Sequence, residues 1–167
     1  MIDLQAARGA TADRVFFYER EFYVLSNFSA FRLTWRGQDF DTSEHAYQWA
    51  KFFRPGSETI QRLILSARSA HDAYRLAADY VDLRRPDWDA IKVETMREII
   101  TEKADQHEYV RRKLLETRDR ELIEDSWRDR FWGWGENGDG HNILGKLWMQ
   151  VRDEIRLQRG DHLERGR

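Results

Sequence analysis

Three short stretches carry the residue types that can do acid–base or binding work. The first is Ser43-Glu44-His45-Ala46-Tyr47-Gln48. Asp41, Thr42 or Ser43 can cap a helix there, which would make Glu44 an ordinary first-turn carboxylate favoured by the helix dipole. The other reading puts Glu44 in a cleft, where it serves as an acid, a base or a stabiliser of developing positive charge. His45 is expected to pack or orient; with no second His four residues on, the metal-binding helix pattern fails. The second stretch is Leu25-Ser26-Asn27-Phe28. Either Asn27 bonds its own backbone in an Asx turn after a strand, or its amide points into a pocket beside Phe28 as an aromatic plate. The third runs from Asp129 to Asn142. Five of the ten glycines lie between Gly133 and Gly145. Gly133, Gly135 and Gly138 match G-x-G-x-x-G, but no apolar strand leads into Gly133 and no βαβ unit surrounds it, so a dinucleotide fingerprint is rejected. The spacing around Asp139 falls short of a calcium loop. What remains is a glycine-rich loop emptying into a helix N-terminus, whose backbone N–H groups suit an anion such as phosphate. The plain alternative is a flexible surface loop, against which Trp132 and Trp134 argue, since large aromatics need something to pack on or to bind.

The elements that must position these residues follow from the pattern. The 167 residues suit one domain, read as a loose leader over 1–13, a domain over 14–158 and a tail over 159–167. No apolar run is long enough to cross a membrane, and residues 1–12 lack the basic and apolar regions of a secretory signal. The absence of cysteine excludes a disulfide scaffold, a thiolate nucleophile and thiolate metal sites, and fits the cytoplasm. A net charge of -2 gives no general pull toward nucleic acid. Short aromatic and β-branched runs predict strands at Val15–Tyr18 and Phe22–Leu25. The alternation Phe31, Leu33, Trp35, ended by Arg36-Gly37, predicts a hairpin closing with Phe40. Helical spacing then takes over. Ala46, Tyr47, Ala50 and Phe53 form a face stopped by Pro55-Gly56. Ser57 opens a helix with Ile60, Leu63, Ile64 and Ala67 inward, and Ser69 with Asp72 opens one with Ala70, Ala73, Tyr74 and Ala77 inward. A long helix follows Asp87 with Trp88, Ile91, Thr95 and Ile99 on one face. Another covers about 105–117 with Tyr109 and Leu114-Leu115. A short strand fits within 121–126, and a last helix starts near Asn142 with Ile143, Leu144, Leu147, Trp148, Val151 and Ile155. The expected fold class is mainly α (α+β), helical with a small N-terminal β element. His71, His107 and His162 read as solvated, and Arg84-Arg85-Pro86 as a connection.

In combination and order, these blocks resemble the NADAR family, whose members include the YbiA-type N-glycosidases. The resemblance rests on Phe17-Tyr18, Leu25-Ser26-Asn27-Phe28, Ser43-Glu44-His45-Ala46-Tyr47-Gln48 with Lys51-Phe52, Trp88, and Leu114-Leu115-Glu116-Thr117. It continues through Leu122-Ile123-Glu124, Asp129, Trp132-Gly133, Gly135 and Asn142-Ile143-Leu144-Gly145 to Met149 and Arg152. It covers about residues 14–156. Trp134 and the residues after Arg156 lie outside the pattern.

The resemblance implies a mainly α fold and hydrolysis of an N-glycosidic bond. In YbiA-type members the substrate is a ribosylamino-pyrimidine 5′-phosphate of the riboflavin pathway; other members act on ADP-ribosyl compounds, including ADP-ribose on guanine. It points to Glu44, Trp88, Asp129 and Trp132 as active-site residues, with Asn27 nearby. Cleaving a ribosyl C–N bond passes through an oxocarbenium-like state, and paired carboxylates meet that need in O-glycoside hydrolysis. Glu44 is therefore expected to handle the water and the positive charge, and Asp129 to orient the sugar or protonate the base, with the reverse assignment open. Trp88 and Trp132 would stack on the heterocycle or exclude water. Asn27 would bond the ribose or base. Lys51 or Lys103, with Gly133, Gly135 and Asn142 of the loop, would hold phosphate. No metal and no cofactor is expected; the partner is a small phosphorylated ribosyl molecule, and no membrane is involved. Nucleic acid enters only under the ADP-ribosyl alternative, which would need basic groups such as Arg32, Arg36 and Lys103 at the pocket. A non-catalytic binding module is the remaining alternative, and a carboxylate pair beside an anionic ligand counts against it.

Overall fold

The computed structural model describes residues 13–18 and 20–165, with the backbone alone at 20 and 161–165. Residues 1–12 of the expected leader and the side chain of His162, expected to be solvated, lie outside what is described. Two compact units are formed, one from the chain up to Ser26 together with Tyr109 onward, the other from Asn27–Glu108.

The first unit is built on a long-range strand pair. β1 (Arg14–Phe17) runs parallel to β4 (Glu121–Glu124), with Val15 opposite Leu122 and Phe17 opposite Glu124. Val15, Phe17, Leu122 and Ile123 are buried, and Arg14 reaches Glu121 at 2.9 Å across the exposed end. Residues Arg20–Leu25 form a 3-10 helix, where a strand was expected. The segment is kinked at Phe22 (φ -102°, ψ 18°), with Phe22, Val24 and Leu25 buried and Tyr23 exposed, and a four-residue apolar run does not by itself choose between strand and helical turns. α5 (Glu108–Glu116) buries Val110 and Leu114 and leaves Tyr109 exposed. α6 (Ile143–Arg165) buries Leu144, Leu147, Trp148, Val151 and Ile155, as their spacing predicted, and continues through residues assigned to the tail. Trp148 is fully buried, its indole N–H donating to the Leu25 carbonyl at 2.8 Å. Gly145 lets α6 sit directly on β4: a Cβ there would stand 2.1 Å from the Leu122 carbonyl oxygen.

The second unit opens with the predicted hairpin, β2 (Leu33–Trp35) antiparallel to β3 (Gln38–Phe40). Arg36 (φ 51°) and Gly37 (φ 76°) make the left-handed two-residue turn that matches strand twist. Trp35, Phe40 and Trp49 then pack edge to face. α1 (Ser43–Ala50) is buried at every position, because α2 (Glu58–Leu65), α3 (Ala70–Asp79), α4 (Trp88–Gln106) and β3 all pack on it. It ends at Lys51, before the Pro55-Gly56 stop. Ser69 caps α3 as expected, its hydroxyl accepting the Asp72 N–H at 3.1 Å. Only the alanines of α3 face inward; Tyr74, expected inside, is exposed, as is Leu63 of α2. The small-residue face is what lets α3 approach α1 closely.

Gly145→Ala is expected to lower stability by about 1–3 kcal/mol through overpacking against backbone, read as a lower Tm. Gly160→Ala, where a Cβ meets nothing within 4 Å, is the control and should hold or raise Tm.

Candidate active site

α1 begins with a well-determined cap. Thr42 is extended (φ -148°, ψ 163°) and its hydroxyl oxygen accepts the His45 N–H at 3.2 Å. The His45 ring is pinned at both nitrogens, Nδ1 at 2.8 Å from the Thr42 hydroxyl and Nε2 at 3.2 Å from the Ala67 carbonyl. His45 is thus the orienting residue expected of it. Glu44 follows the cap but is no ordinary solvated first-turn acid, since it is only 5% exposed. Its N–H donates to the Asn27 carbonyl at 3.0 Å. Its Oε1 accepts from Gln48 Nε2 at 2.6 Å. A buried carboxylate is costly unless donors and favourable dipoles meet it. The helix N-terminus and the Gln48 amide supply both.

Asn27 makes no Asx turn. Its side-chain N–H donates to the Met96 sulfur at 3.3 Å, and its Oδ1 is buried without a partner, as are Ser43 Oγ and Gln48 Oε1. Three such atoms occur on Glu44 itself's immediate neighbours in the chain or in hydrogen bonding. An unsatisfied buried polar atom costs about 1–3 kcal/mol, so three beside one carboxylate call for an explanation such as a functional role. Gln48 was within the motif read from the sequence but was not singled out; its signal was the i, i+4 spacing from Glu44.

Other expected site residues are placed differently. Trp88 is 2% exposed and lies against Tyr47 at 5.0 Å, so it is a backing residue of α1 and not an open stacking plate, because the first turn of α4 faces the core. Lys103 is fully buried, its ammonium donating to Ser29 Oγ at 2.7 Å and lying 5.3 Å from the Phe31 ring. It falls on the inward face of α4 with Ile99 and Ile100, which removes it as a surface grip for phosphate. Lys51 sits over Tyr47 at 5.1 Å and remains half-buried, and Phe28 is partly exposed. Arg32 pairs with Asp41 and Arg36 with Glu98.

In the first unit, the Asp129–Asn142 loop is a self-contained scaffold. Asp129 Oδ1 accepts the N–H groups of Phe131 and Trp132, both at 2.8 Å, and so turns the chain. Trp132 stands edge-on to Phe131 at 5.0 Å. The expected phosphate cradle is not there. The N–H groups of Trp134, Gly135, Gly138, Gly140, His141, Asn142, Ile143 and Leu144 all donate to carbonyls of the same segment or of Glu124 and Ser126. The α6 N-terminus is thereby capped by the loop itself. Gly133, Gly135 and Asn142 are corrected accordingly from ligand contacts to scaffold. A Cβ on Gly133 would stand 2.9 Å from the Asp129 carbonyl oxygen, and Gly135 has φ +73°. Asn142 (φ 50°) accepts the Glu124 N–H at 2.9 Å and donates to the Leu122 carbonyl at 2.8 Å, extending β4 as a strand neighbour would. Trp134 packs on Phe16 and under Arg14, and a Cβ on Gly138 would collide with its indole nitrogen. Arg152 is likewise structural, donating to Thr117 Oγ1 and the Arg120 carbonyl.

With Glu44 set in its polar niche and the glycine loop closed on itself, the comparisons decide the family. The model of the NADAR domain matches residues 16–156. The chain belongs to the NADAR family. A riboflavin biosynthesis protein of Vibrio vulnificus is 40% identical over 84% of this NADAR chain, which spans only 38% of that relative's length. An N-glycosidase of Nostoc punctiforme is 38% identical over 85% of this chain and 92% of its own. The N-glycosidase YbiA of Escherichia coli is 33% identical over 81% and 82%. The NMR structure of Escherichia coli YbiA superposes with a TM-score of 0.80 at 30% identity, covering 93% of this chain and 92% of that one, and it shares the α+β fold. Among the described residues, no three metal-ligating side chains are grouped, and no helix is long and apolar enough to cross a membrane.

Asn142→Ala removes two buried backbone contacts and a residue tolerant of positive φ. A loss of about 2–4 kcal/mol is expected, measured by denaturant unfolding. Stability like that of the unsubstituted chain would return Asn142 to the ligand-binding candidates.

Proposed function

We propose that this NADAR chain is an N-glycosidase that hydrolyses the bond between ribose and the pyrimidine in ribosylamino-pyrimidine 5′-phosphate intermediates of riboflavin biosynthesis. The observation that carries the reading is the buried Glu44 carboxylate, held by Gln48 and set among unpartnered polar atoms. The names of the Nostoc and Escherichia relatives support the reaction, and those of the Vibrio relative and of a Zea mays riboflavin biosynthesis protein support the pathway.

In the proposed mechanism the C1′–N bond breaks with its electron pair going to the exocyclic amino nitrogen of the pyrimidine. Glu44 stabilises the positive charge left on C1′ and takes a proton from the water that attacks it. The departing amine takes up a proton from solvent. Phe28 is assigned the heterocycle and Lys51 the phosphate. The products are ribose 5-phosphate and the free amino-pyrimidine. Support for the ADP-ribosyl alternative is weaker, because the basic groups it would enlist are paired or buried: Arg32 with Asp41, Arg36 with Glu98, and Lys103 in the core.

Glu44→Gln should keep the fold and lose about 10²–10⁴ in kcat, followed by release of ribose 5-phosphate; unchanged turnover would remove Glu44 from the reaction. An ADP-ribosylated guanosine incubated in parallel should stay intact. Asn27→Leu trades a buried unpartnered oxygen for a methyl group, and should hold or raise Tm while lowering kcat/KM. A variant that unfolds with full activity per folded molecule would make Asn27 structural.

A further inference from the structure

Gln48 is 1% exposed, and the two ends of its amide are used unequally. The Nε2 end donates to Glu44 Oε1 at 2.6 Å, while the Oε1 end is buried without a donor. The orientation of the amide is settled by its neighbour, since a carboxylate oxygen accepts and calls for the N–H end. A glutamine needed only for holding Glu44 would leave its carbonyl in water; this one bears the cost of a sealed acceptor. Asn27, hydrogen-bonded to Glu44 through its backbone, also carries an unused amide oxygen: its carbonyl takes the Glu44 N–H, and its side-chain Oδ1 is buried and unpartnered. Two amide oxygens on residues hydrogen-bonded to Glu44, Gln48 Oε1 and Asn27 Oδ1, are thus buried without a donor, which calls for a ligand that brings O–H or N–H groups.

Resting on the reading that Glu44 works at C1′, we propose that Gln48 is a specificity-determining residue whose Oε1 accepts a hydrogen bond from the ribose 2′-hydroxyl. That hydroxyl is carried by the carbon bonded to C1′, so it enters beside Glu44 with the reacting atom. One planar amide then fixes the carboxylate with its nitrogen and reads the neighbouring hydroxyl with its oxygen. In the unliganded chain the acceptor is covered, and the contact forms with the side-chain adjustment that commonly accompanies binding. The hydroxyl contact grows in value as C1′ becomes positive, as hydroxyl contacts at the 2-position do in O-glycoside hydrolysis.

The test compares a ribosylamino-pyrimidine 5′-phosphate with its 2′-deoxyribosyl counterpart, each rate divided by its uncatalysed rate, for the unsubstituted chain and for Gln48→Met. Both substrates are run on the same preparation, so any fraction of unfolded variant cancels from the ratio. The unsubstituted chain should prefer the ribosyl substrate by about 10- to 100-fold in kcat/KM, and Gln48→Met should shrink that preference by about tenfold or more. A preference that is the same in both proteins, or absent from the unsubstituted chain, overturns the proposal and leaves the N-glycosidase reading in place. Hydrolysis of neither substrate by the unsubstituted chain overturns both.

Discussion

A carboxylate taken out of water needs donors around it, and much of the second unit is arranged to provide them for Glu44. The Thr42 cap starts α1 at the right residue, and the Asn27 carbonyl takes the Glu44 amide. Gln48, one turn on, reaches back to the carboxylate. α2, α3 and α4 seal the helix on the remaining sides. Each contact is ordinary, but together they hold a charge where solvent would otherwise compete for it. A carboxylate in such a place needs little reorganisation when positive charge develops nearby, and this is how preorganised sites lower barriers.

The polar atoms left without partners give this arrangement its functional sense. Asn27 Oδ1, Ser43 Oγ and Gln48 Oε1 could each be replaced by carbon with no loss of a hydrogen bond at that atom. The glycine loop of the first unit shows the opposite pattern. The amides of Trp134, Gly135, Gly138, Gly140, His141 and Asn142 are spent on carbonyls of the loop or of Glu124 and Ser126, Asn142 closes the β4 edge, and Asp129 Oδ1 turns the chain. Similar residue types are thus committed to folding in one place and left uncommitted in the other.

This contrast explains what the sequence could and could not reveal. α6 was legible because Leu144, Leu147, Trp148, Val151 and Ile155 recur at helical spacing and are buried. The hairpin was legible from Arg36-Gly37. The 3-10 helix at Arg20–Leu25 was not, because four apolar residues fit either geometry. The pairing of β1 with β4, more than 100 residues apart, leaves no local trace. Glu44 and Asn27 could be nominated by type, but their burial could not. Lys103 was misplaced because lysine is rarely sealed, and here the register of α4 overrides that preference. The glycine loop was misread because free and satisfied amides look alike in a sequence; only the fold shows that Phe131, Trp132 and Gly133 carbonyls cap α6.

The account stands on Glu44 meeting the reacting carbon of a ribosyl substrate. A crystal structure of Glu44→Gln with an intact ribosylamino-pyrimidine 5′-phosphate bound measures that directly. The account predicts C1′ within about 3–4 Å of the substituted side chain, or of a water held by it. A sugar bound with C1′ well beyond reach of residue 44, and with another acid at the anomeric carbon, would contradict it.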